Sequence, residues 1–534
     1  MPGPLIRTDL SLRARYSQGG GIYRMIPAAV ARPTTAAELA EVLSGARERG
    51  LTVTARGAGS AMAGGNVTNG LVIDLTLYDD DHCLVNEAMR RAFASPSISL
   101  ARLNAAARPH GLRVAVDPSS ADWATLGGLV STNAAGPHSV RAGSIRRWIN
   151  GVAMVTVDGY LDLCRDRESD QEHPVVARWR TEVEPLLHRH EQAIRDRFPK
   201  VRKNSAGYAL DRYLESDDLL DIVIGSEGTL GIITDVNVDL EPVPAHRVAL
   251  RVAIRSRADL VDTIEAIRRY GPATLELLDA SFLRLIAPQQ LTPEHPDLLH
   301  LAAGLLLVDF EGEDDNEIVD RAVGAAHVAQ ATALDVRIAR DAAEIEQMWS
   351  IRHRASPILA GLADGRRSLQ VIEDGCVPVA RLAEYLDAVD GAARAQRIDV
   401  VMFGHAGDGH VHVNLLPNIH HADWQDRVRA IFDAVSDAVI RLGGTPSGEH
   451  GAGRLRVGLL EPLYGPEVLE CFRAVKHAFD PAGFFNPGVI VGDGGDPMRQ
   501  LKVGADAVSL PTGVEAYLQR IEAEANWGES RWSV

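Results

Sequence analysis

Two short stretches toward the C-terminal end carry the side chains best suited to chemistry. One is Gly404-His405-Ala406-Gly407-Asp408-Gly409-His410-Val411-His412-Val413-Asn414 and the other is Ser447-Gly448-Glu449-His450-Gly451-Ala452-Gly453. Imidazole nitrogens and a carboxylate are ordinary donors to a divalent metal, and an imidazole beside them is a ready base near neutral pH. Val401-Met402-Phe403 reads as a strand leading into a Gly-Asp-Gly turn, and His410 to Leu415 reads as the strand leaving it. With a side-chain period of two, His410, His412 and Asn414 share one face, while Val411, Val413 and Leu415 face the core. His405, at the other end of the turn, is then brought near His412. Glu449 completes a three-donor set of His405, His412 and Glu449, which leaves coordination positions open for a substrate. His450 stands beside that set as the base. The glycines let the backbone pass close to a ligand with no Cβ in the way.

Three further segments are rich in small residues and exposed backbone, all within the first 240 residues. They are Arg56-Gly57-Ala58-Gly59-Ser60 through Gly65, then Asp117-Pro118-Ser119-Ser120 through Gly127-Gly128, Ser131-Thr132-Asn133-Ala134-Ala135-Gly136 and Gly143-Ser144, and last Gly225-Ser226-Glu227-Gly228-Thr229-Leu230-Gly231. The first is not a Rossmann fingerprint, because Met62 takes the third glycine position and no helical pattern opens there. Any one of them reads as a tight turn. Three in one region suit a cradle of backbone N–H groups around a pyrophosphate, with hydroxyls from Ser60, Ser119, Ser120 and Thr132 as further donors.

The elements that must position these residues are partly legible. Residues before Arg32 are Gly-rich and irregular. Thr35-x-x-Glu38 reads as a capping box opening a helix with Leu39, Val42, Leu43 and Ala46 on its apolar stripe and Gly50 as its stop. Leu51–Thr54 and Leu71–Leu75 read as strands. Glu241-Pro242-Val243-Pro244 reads as a linker, beyond which strands such as Val248–Ala253 and Leu305–Phe310 alternate with helices. A helix from Trp424 to Leu442 carries Val428, Ile431, Phe432, Val435 and Val439 on one face and ends at Gly443-Gly444. A second runs from about Pro466 to Phe479, and an amphipathic helix lies near Val514–Asn526.

A chain of 534 residues exceeds one ordinary core, so two or three domains are expected. A formal net charge of -17 argues against nucleic-acid binding and against a polybasic membrane patch. Cys83, Cys164, Cys376 and Cys471 lie far apart with no CxxC pair, which speaks against a zinc knot, an iron–sulfur cluster or a disulfide framework. Reduced thiols in a cytoplasmic protein are the simple expectation, with peripheral membrane association as the variant. No signal peptide is apparent, and no apolar run is long enough to span a bilayer.

The segments Arg56–Gly65, Pro118–Ser120, Gly127–Gly136 and Gly225–Thr234, together with Lys203-Asn204-Ser205-Ala206-Gly207-Tyr208 and Phe485-Asn486-Pro487-Gly488, resemble flavin enzymes of the vanillyl-alcohol-oxidase type. Within them the chain is similar to the D-lactate, glycolate and D-2-hydroxyglutarate dehydrogenase branch, over roughly residues 20 to 491. The resemblance implies an α+β architecture: a two-subdomain FAD-binding fold plus an α+β substrate (cap) domain. The implied division is an FAD-binding domain over 1–242, a cap domain with the metal site over 243–465, a segment over 466–491 returning to the FAD domain, and a tail over 492–534. It implies FAD contacts from Arg56, Gly57, Ala58, Gly59, Ser60, Pro118, Ser119, Ser120, Gly127, Gly128, Ser131, Thr132, Asn133, Gly136, Gly143, Ser144, Glu227, Gly228, Gly231, Ile232, Ile233 and Asn486. The first glycine loop has no His for covalent attachment, so the FAD is expected to be non-covalent. The implied metal is zinc or manganese on His405, His412 and Glu449. His450 is the implied base, Asn414 a substrate contact and Arg352, in Trp349-Ser350-Ile351-Arg352-His353-Arg354, the holder of the substrate carboxylate. His410 stays open between a fourth ligand, a residue behind the ligands and a surface residue.

The reaction so implied is oxidation of a small 2-hydroxy acid to the 2-oxo acid. The ion lowers the hydroxyl pKa, His450 takes the proton, and hydride passes from C2 to flavin N5. The chain ends at Val534 with no cysteine-rich extension, so electrons are expected to leave to a separate acceptor: an electron-transfer protein, a quinone or oxygen. A homodimer is compatible with this reading. Two rivals remain: a flavin oxidase of the same fold acting on another alcohol or sugar, and a catalytically silent FAD-binding subunit of a redox complex. The retained His/Glu cluster speaks for the first reading over both. Arg354, Arg366 and Arg367 hint at a second anionic group on the substrate, and surface charge explains them equally well.

Overall fold

The computed structural model describes residues 5–79, 82–286, 298–353, 358–359, 362 and 365–532. Arg354 lies outside the described residues. Among them three principal sheets organise the chain. The first has four strands in the order Ile6–Arg7, Ala29–Ala31, Leu71–Asp74, Val53–Arg56, of which the last three run parallel. The second has five antiparallel strands, ordered Cys83–Asn86, Arg91–Ala94, Ile232–Asp239, Ile149–Thr156, Gly159–Cys164. The third has seven strands, ordered Ala333–Ala339, His246–Ile254, Gly304–Gly312, Thr274–Asp279, Asp399–Gly404, His410–Leu416, Gly375–Cys376.

The seven-stranded sheet is buried on both faces, which is why its inner strands read as nearly continuous apolar runs. On His246–Ile254, Val248, Leu250, Val252 and Ile254 join one core while Ala249 and Ala253 join the other. Helix Trp424–Arg441 covers the first face with Val428, Ile431, Phe432, Val435 and Val439, as its 3.6-residue spacing predicts. Helix Ala342–His353 covers the second with Ile345, Met348, Trp349 and Ile351.

A separate core joins residues 92–240 to residues 452–490, so the chain returns to the five-stranded sheet after completing the seven-stranded one. Within the stretch Leu460–Phe479, Gly465 takes φ 78 and ψ 169, which breaks the helix and starts a new one at Pro466. The last helix, Val514–Ala523, sets Val514 and Leu518 against Ala14, and Trp532 packs on the cluster of Leu12 and Tyr16.

Several local expectations are revised. Thr35 does cap helix Ala36–Glu48 by accepting from the Glu38 N–H, but the Glu38 carboxylate reaches back to the N–H and hydroxyl of Thr34, one residue further than a capping box requires. The first strand of the glycine-loop unit is Val53–Arg56 rather than 51–54, because its hydrogen bonds register with Leu71–Asp74. The segment before Arg32 is not wholly irregular: Asp9 caps a helix at Leu10–Arg15. Gly127 and Gly128 lie inside a short helix, Leu126–Thr132, capped by Thr125. Glu241-Pro242 is no free linker, since it pairs with Leu112–Arg113 and Glu241 accepts from Arg113 and Arg141. All four cysteines are free thiols, two buried and two half-buried. Among the described residues, no helix is long and apolar enough to cross a membrane.

Candidate active site

The hairpin Asp399–Gly404 to His410–Leu416 supplies the centre of the site. Gly404, at φ 157, is extended; an added Cβ there would lie 2.6 Å from the His410 carbonyl oxygen, so only glycine lets the two strands close. His405 and His412 meet across the turn with their Nε2 atoms 3.3 Å apart. Glu449, on the loop after the long helix, places Oε1 3.2 Å from His405 Nε2 and 3.4 Å from His412 Nε2. A tetrahedral ion with bonds of about 2.0–2.1 Å has donor–donor edges of about 3.3–3.4 Å. The triangle therefore has the dimensions of one face of such a shell, and His405, His410, His412 and Glu449 form a set able to hold an ion.

What orients the rings is equally specific. His405 Nδ1 lies 2.5 Å from Glu276 Oε1, and His412 Nδ1 lies 3.1 Å from the Glu373 carbonyl oxygen, so each ring turns Nε2 toward the centre. His410 Nε2 lies 2.8 Å from Asp374 Oδ1, and its Nδ1 is 3.4 Å from Lys203 Nζ and 3.9 Å from Glu449 Oε2. It is fully buried, which removes the surface option left open for it. Burial first, then the Lys203 ammonium, push it down to about 4, so His410 is neutral, donates from Nε2 to Asp374 and accepts at Nδ1. Burial alone would depress His405 as well, but Glu276 outweighs it and raises His405 to about 9. The burial of Glu449 is likewise outweighed, by Lys203 first and then His405, which hold its carboxyl well below the usual carboxylate range.

His450 stands next to this set. Its Nδ1 is 2.5 Å from Glu373 Oε2 and its Nε2 is 3.7 Å from Glu449 Oε1. Its ring stacks on His412 with centroids 5.3 Å apart. Burial would lower its pKa, yet Glu373 and Asp374 outweigh burial and lift it to about 10. Asp374 organises the whole loop by accepting from the Ser447 hydroxyl, the His450 N–H and His410 Nε2. Glu373 is in turn held by Arg456.

Arg352 reaches the same centre: Nε lies 3.4 Å from Glu276 Oε2 and the guanidinium sits 4.4 Å over the Phe403 ring. Asn414 is buried, accepts from the Ser368 hydroxyl, and leaves its Nδ2 with no partner among the described residues. A buried amide donor without an acceptor costs about 1–3 kcal/mol, and a ligand oxygen placed here would satisfy it. Arg366 and Arg367 stay apart from this group: Arg366 lies 3.8 Å from Asp399, and Arg367 donates to the Arg366 carbonyl.

Glu276, Glu373, Asp374, Lys203 and Arg456 were not picked out by type and spacing. A signal existed for some. Glu276 interrupts the apolar run Leu275–Leu278, and Glu373-Asp374 follows Val371-Ile372; charges in otherwise buried strings are rarely idle.

The glycine-rich segments also converge. Gly225 and Glu227 donate their N–H groups to the carbonyls of Val130 and Ser131, and Asn486 Nδ2 bridges the carbonyls of Gly65 and Glu227. Asn486 Oδ1 accepts from Thr54, so this one side chain joins the first and third segments to the chain's return. Gly57 packs against Thr125, where a Cβ would meet Oγ1 at 2.2 Å, and Gly136 packs on Asp117 and Pro118. At Gly143 and Gly228, both with positive φ, a Cβ would meet nothing within 4 Å, so backbone there faces open space. These features fit a dinucleotide lying along exposed backbone.

Several side chains named for the cofactor are committed elsewhere. Arg56 gives its guanidinium to the carbonyls of Tyr16, Gln18 and Asn66, and burial lowers it to about 10. The hydroxyls of Ser131 and Thr132 donate to the carbonyls of Gly127 and Gly128. Asn133 Oδ1 accepts from the Arg146 N–H. Glu227 accepts from the N–H groups of Ala452 and Gly453, and burial raises it to about 7. Ile232 and Ile233 are buried at the start of a strand. Ser119 is exposed, Ser60, Pro118, Ser120 and Ser144 are half-buried, and Ala58, Gly59 and Gly231 line the same loops.

Residues 27–164 match the family described as FAD binding domain, and residues 243–490 match the family described as FAD linked oxidases, C-terminal domain. An uncharacterized FAD-linked oxidoreductase of Mycobacterium tuberculosis is 30% identical over 476 residues, covering 88% of this chain and 91% of that protein. Glycolate oxidase subunit GlcD of Bacillus subtilis is 28% identical over 470 residues, covering 87% of this chain and 89% of its own. D-lactate dehydrogenase of Archaeoglobus fulgidus is 28% identical over 464 residues, covering 86% and 91%. Among solved structures, 4-ethylphenol oxidase from Gulosibacter chungangensis shares the fold at a TM-score of 0.65 and 15% identity, covering 91% of this chain and 94% of that one. The chain belongs to the FAD-linked oxidases of the vanillyl-alcohol-oxidase type, among their hydroxy-acid dehydrogenase relatives, and is an FAD-binding oxidoreductase.

Proposed function

We propose that the protein oxidises a small 2-hydroxy acid to the 2-oxo acid, with a divalent ion on His405, His412 and Glu449. The observation that carries this reading is the triangle of donors with edges of 3.2, 3.3 and 3.4 Å, set beside a histidine paired with a buried carboxylate. When bound, FAD supplies the two-electron acceptor at N5 and a zinc or manganese ion supplies Lewis-acid polarisation.

The chain's own residues do the rest. Arg352 offers a planar fork to the substrate carboxylate from its place between Glu276 and Phe403. Asn414 donates from its unpartnered Nδ2 to a substrate oxygen. His450 Nε2 takes the hydroxyl proton, while Glu373 fixes the tautomer by accepting from Nδ1 and balances the imidazolium that forms. A cation beside Glu449 opposes the charge on His450, and so favours the neutral ring that a base needs.

Electrons leave to a separate acceptor, and substrate chirality and length are read by anaerobic mixing. Purified yellow protein, mixed with a panel of D- and L-2-hydroxy acids, bleaches with one series and recovers colour with an acceptor. Bleaching that persists undiminished after exhaustive chelation removes the ion from the reading, and no bleaching with any member removes the substrate class.

A further inference from the structure

Among the described residues Lys203 is the one lysine inside the histidine–carboxylate centre, and nothing in the reaction described above uses it. It comes from the loop between Phe198 and Leu210, on the side of the molecule that carries the glycine segments, and its side chain is 2% exposed. Its Nζ lies 2.8 Å from Glu449 Oε2, 3.4 Å from His410 Nδ1 and 3.8 Å from Asp408 Oδ2. The loop has little freedom. Ser205 donates its N–H to the Ser447 carbonyl and its hydroxyl to the Gly448 carbonyl, while Asn204 bonds Tyr464 and Thr445.

The two oxygens of Glu449 face different partners. Oε1 faces His405 Nε2, His412 Nε2 and His450 Nε2, at 3.2, 3.4 and 3.7 Å. Oε2 faces Lys203 and His410. A carboxylate with both oxygens free can close on a cation in a bidentate manner and occupy two coordination positions. An ammonium on Oε2 prevents that by geometry and by charge.

We propose that Lys203 is a positioning residue that holds Glu449 to a single oxygen toward the ion, so that open coordination positions remain for a chelating hydroxy acid. The inference rests on the metal-assisted reading above. Lys203 also places a fixed positive charge against the cation, which keeps the ion's hold weaker than the carboxylates alone would make it. Its removal therefore moves two quantities in opposite directions: ion affinity rises and productive substrate binding falls. A residue that only fills space would lower both or neither.

The test uses the FAD-loaded full chain, with Mn2+ as probe. Dissociation constants come from competition with a chromogenic chelator, and exchangeable positions on the ion come from water-proton relaxation. For Lys203→Met the expected result is Mn2+ binding tighter by about tenfold or more, a smaller relaxation enhancement, a raised KM for the hydroxy acid, and unchanged FAD stoichiometry. For Lys203→Arg, which keeps the charge, affinity stays within about threefold of the parent. Unchanged or weaker Mn2+ binding in Lys203→Met at full FAD content overturns the inference. Should the Met variant not fold, Lys203→Arg decides: affinity rising as charge is kept overturns it, and affinity held supports it. Wild-type protein that binds no divalent ion instead sinks the metal-assisted reading itself, a result separable from an altered variant.

Discussion

The glycine-lined cradle and the histidine–carboxylate centre are built by opposite means. In the cradle, the side chains are spent on the protein: Arg56, Ser131, Thr132, Asn133 and Asn486 all satisfy backbone groups or one another, and the surface they leave is main chain. In the centre, side chains converge with their donor atoms toward one point, backed by buried carboxylates that set each ring. The first is a shape that depends on the fold, and the second is a charge arrangement that depends on the rings. Changes in one should leave the other largely intact.

The sharpest break is His450→Ala. Flavin reduction by substrate, followed anaerobically by stopped-flow absorbance, should fall by about 10²–10⁴-fold, with FAD content unchanged. Reduction at the parent rate would take His450 out of the chemistry. Next comes Asn486→Ala on the cradle side, which removes hydrogen bonds to Gly65, Glu227 and Thr54. It should cost about 2–4 kcal/mol in unfolding free energy and weaken FAD retention, while divalent-ion affinity stays as it was. Loss of ion binding in that variant would mean that the two regions are not separable.

A subtler distinction is available at their junction. His138 lies between Asp117, beside the cradle, and Glu311 on the large sheet, with Arg113 and Arg141 bonded to the neighbouring Glu311 and Glu241. Burial would lower its pKa, but Asp117 and Glu311 outweigh it and raise it to about 10. A folded pKa above the unfolded value of about 6.5 means stability that is fully present below pH 6.5 and lost as pH rises toward 10. Denaturant titrations of wild type and His138→Gln should therefore converge across that window; a constant gap would show that the pair carries no proton-linked stability. The smallest effect belongs to Thr35→Ala, an exposed helix cap far from both regions, which should cost about 1 kcal/mol and leave FAD and ion binding untouched.

Much of this was readable along the chain. The hairpin pattern alone puts His410, His412 and Asn414 on one face and His405 within reach, and the long helix at Trp424–Arg441 follows from its apolar spacing. Glu449 and His450 were readable as a pair by type and proximity. Lys203 was not, and Glu276, Glu373 and Asp374 stood out only as charges in apolar strings with no role attached, because each acts through partners 36 to 246 residues away. Linear spacing carries no information about such pairings. The capping box at Thr35 shifted by one residue, and the supposed linker at Glu241 became a strand, because in both places a tertiary or near neighbour offered a better hydrogen-bond partner than local pattern assumes.

The amino-acid sequence by itself determined the periodicities, the glycine positions and the inventory of donors, since these depend on residue types at short range. Only the tertiary structure decided which nitrogen of each histidine faces inward and which oxygen of Glu449 faces the lysine. Those choices are made by buried carboxylates and an ammonium that arrive from other parts of the chain, where low polarizability makes one pairing far more favourable than its alternatives.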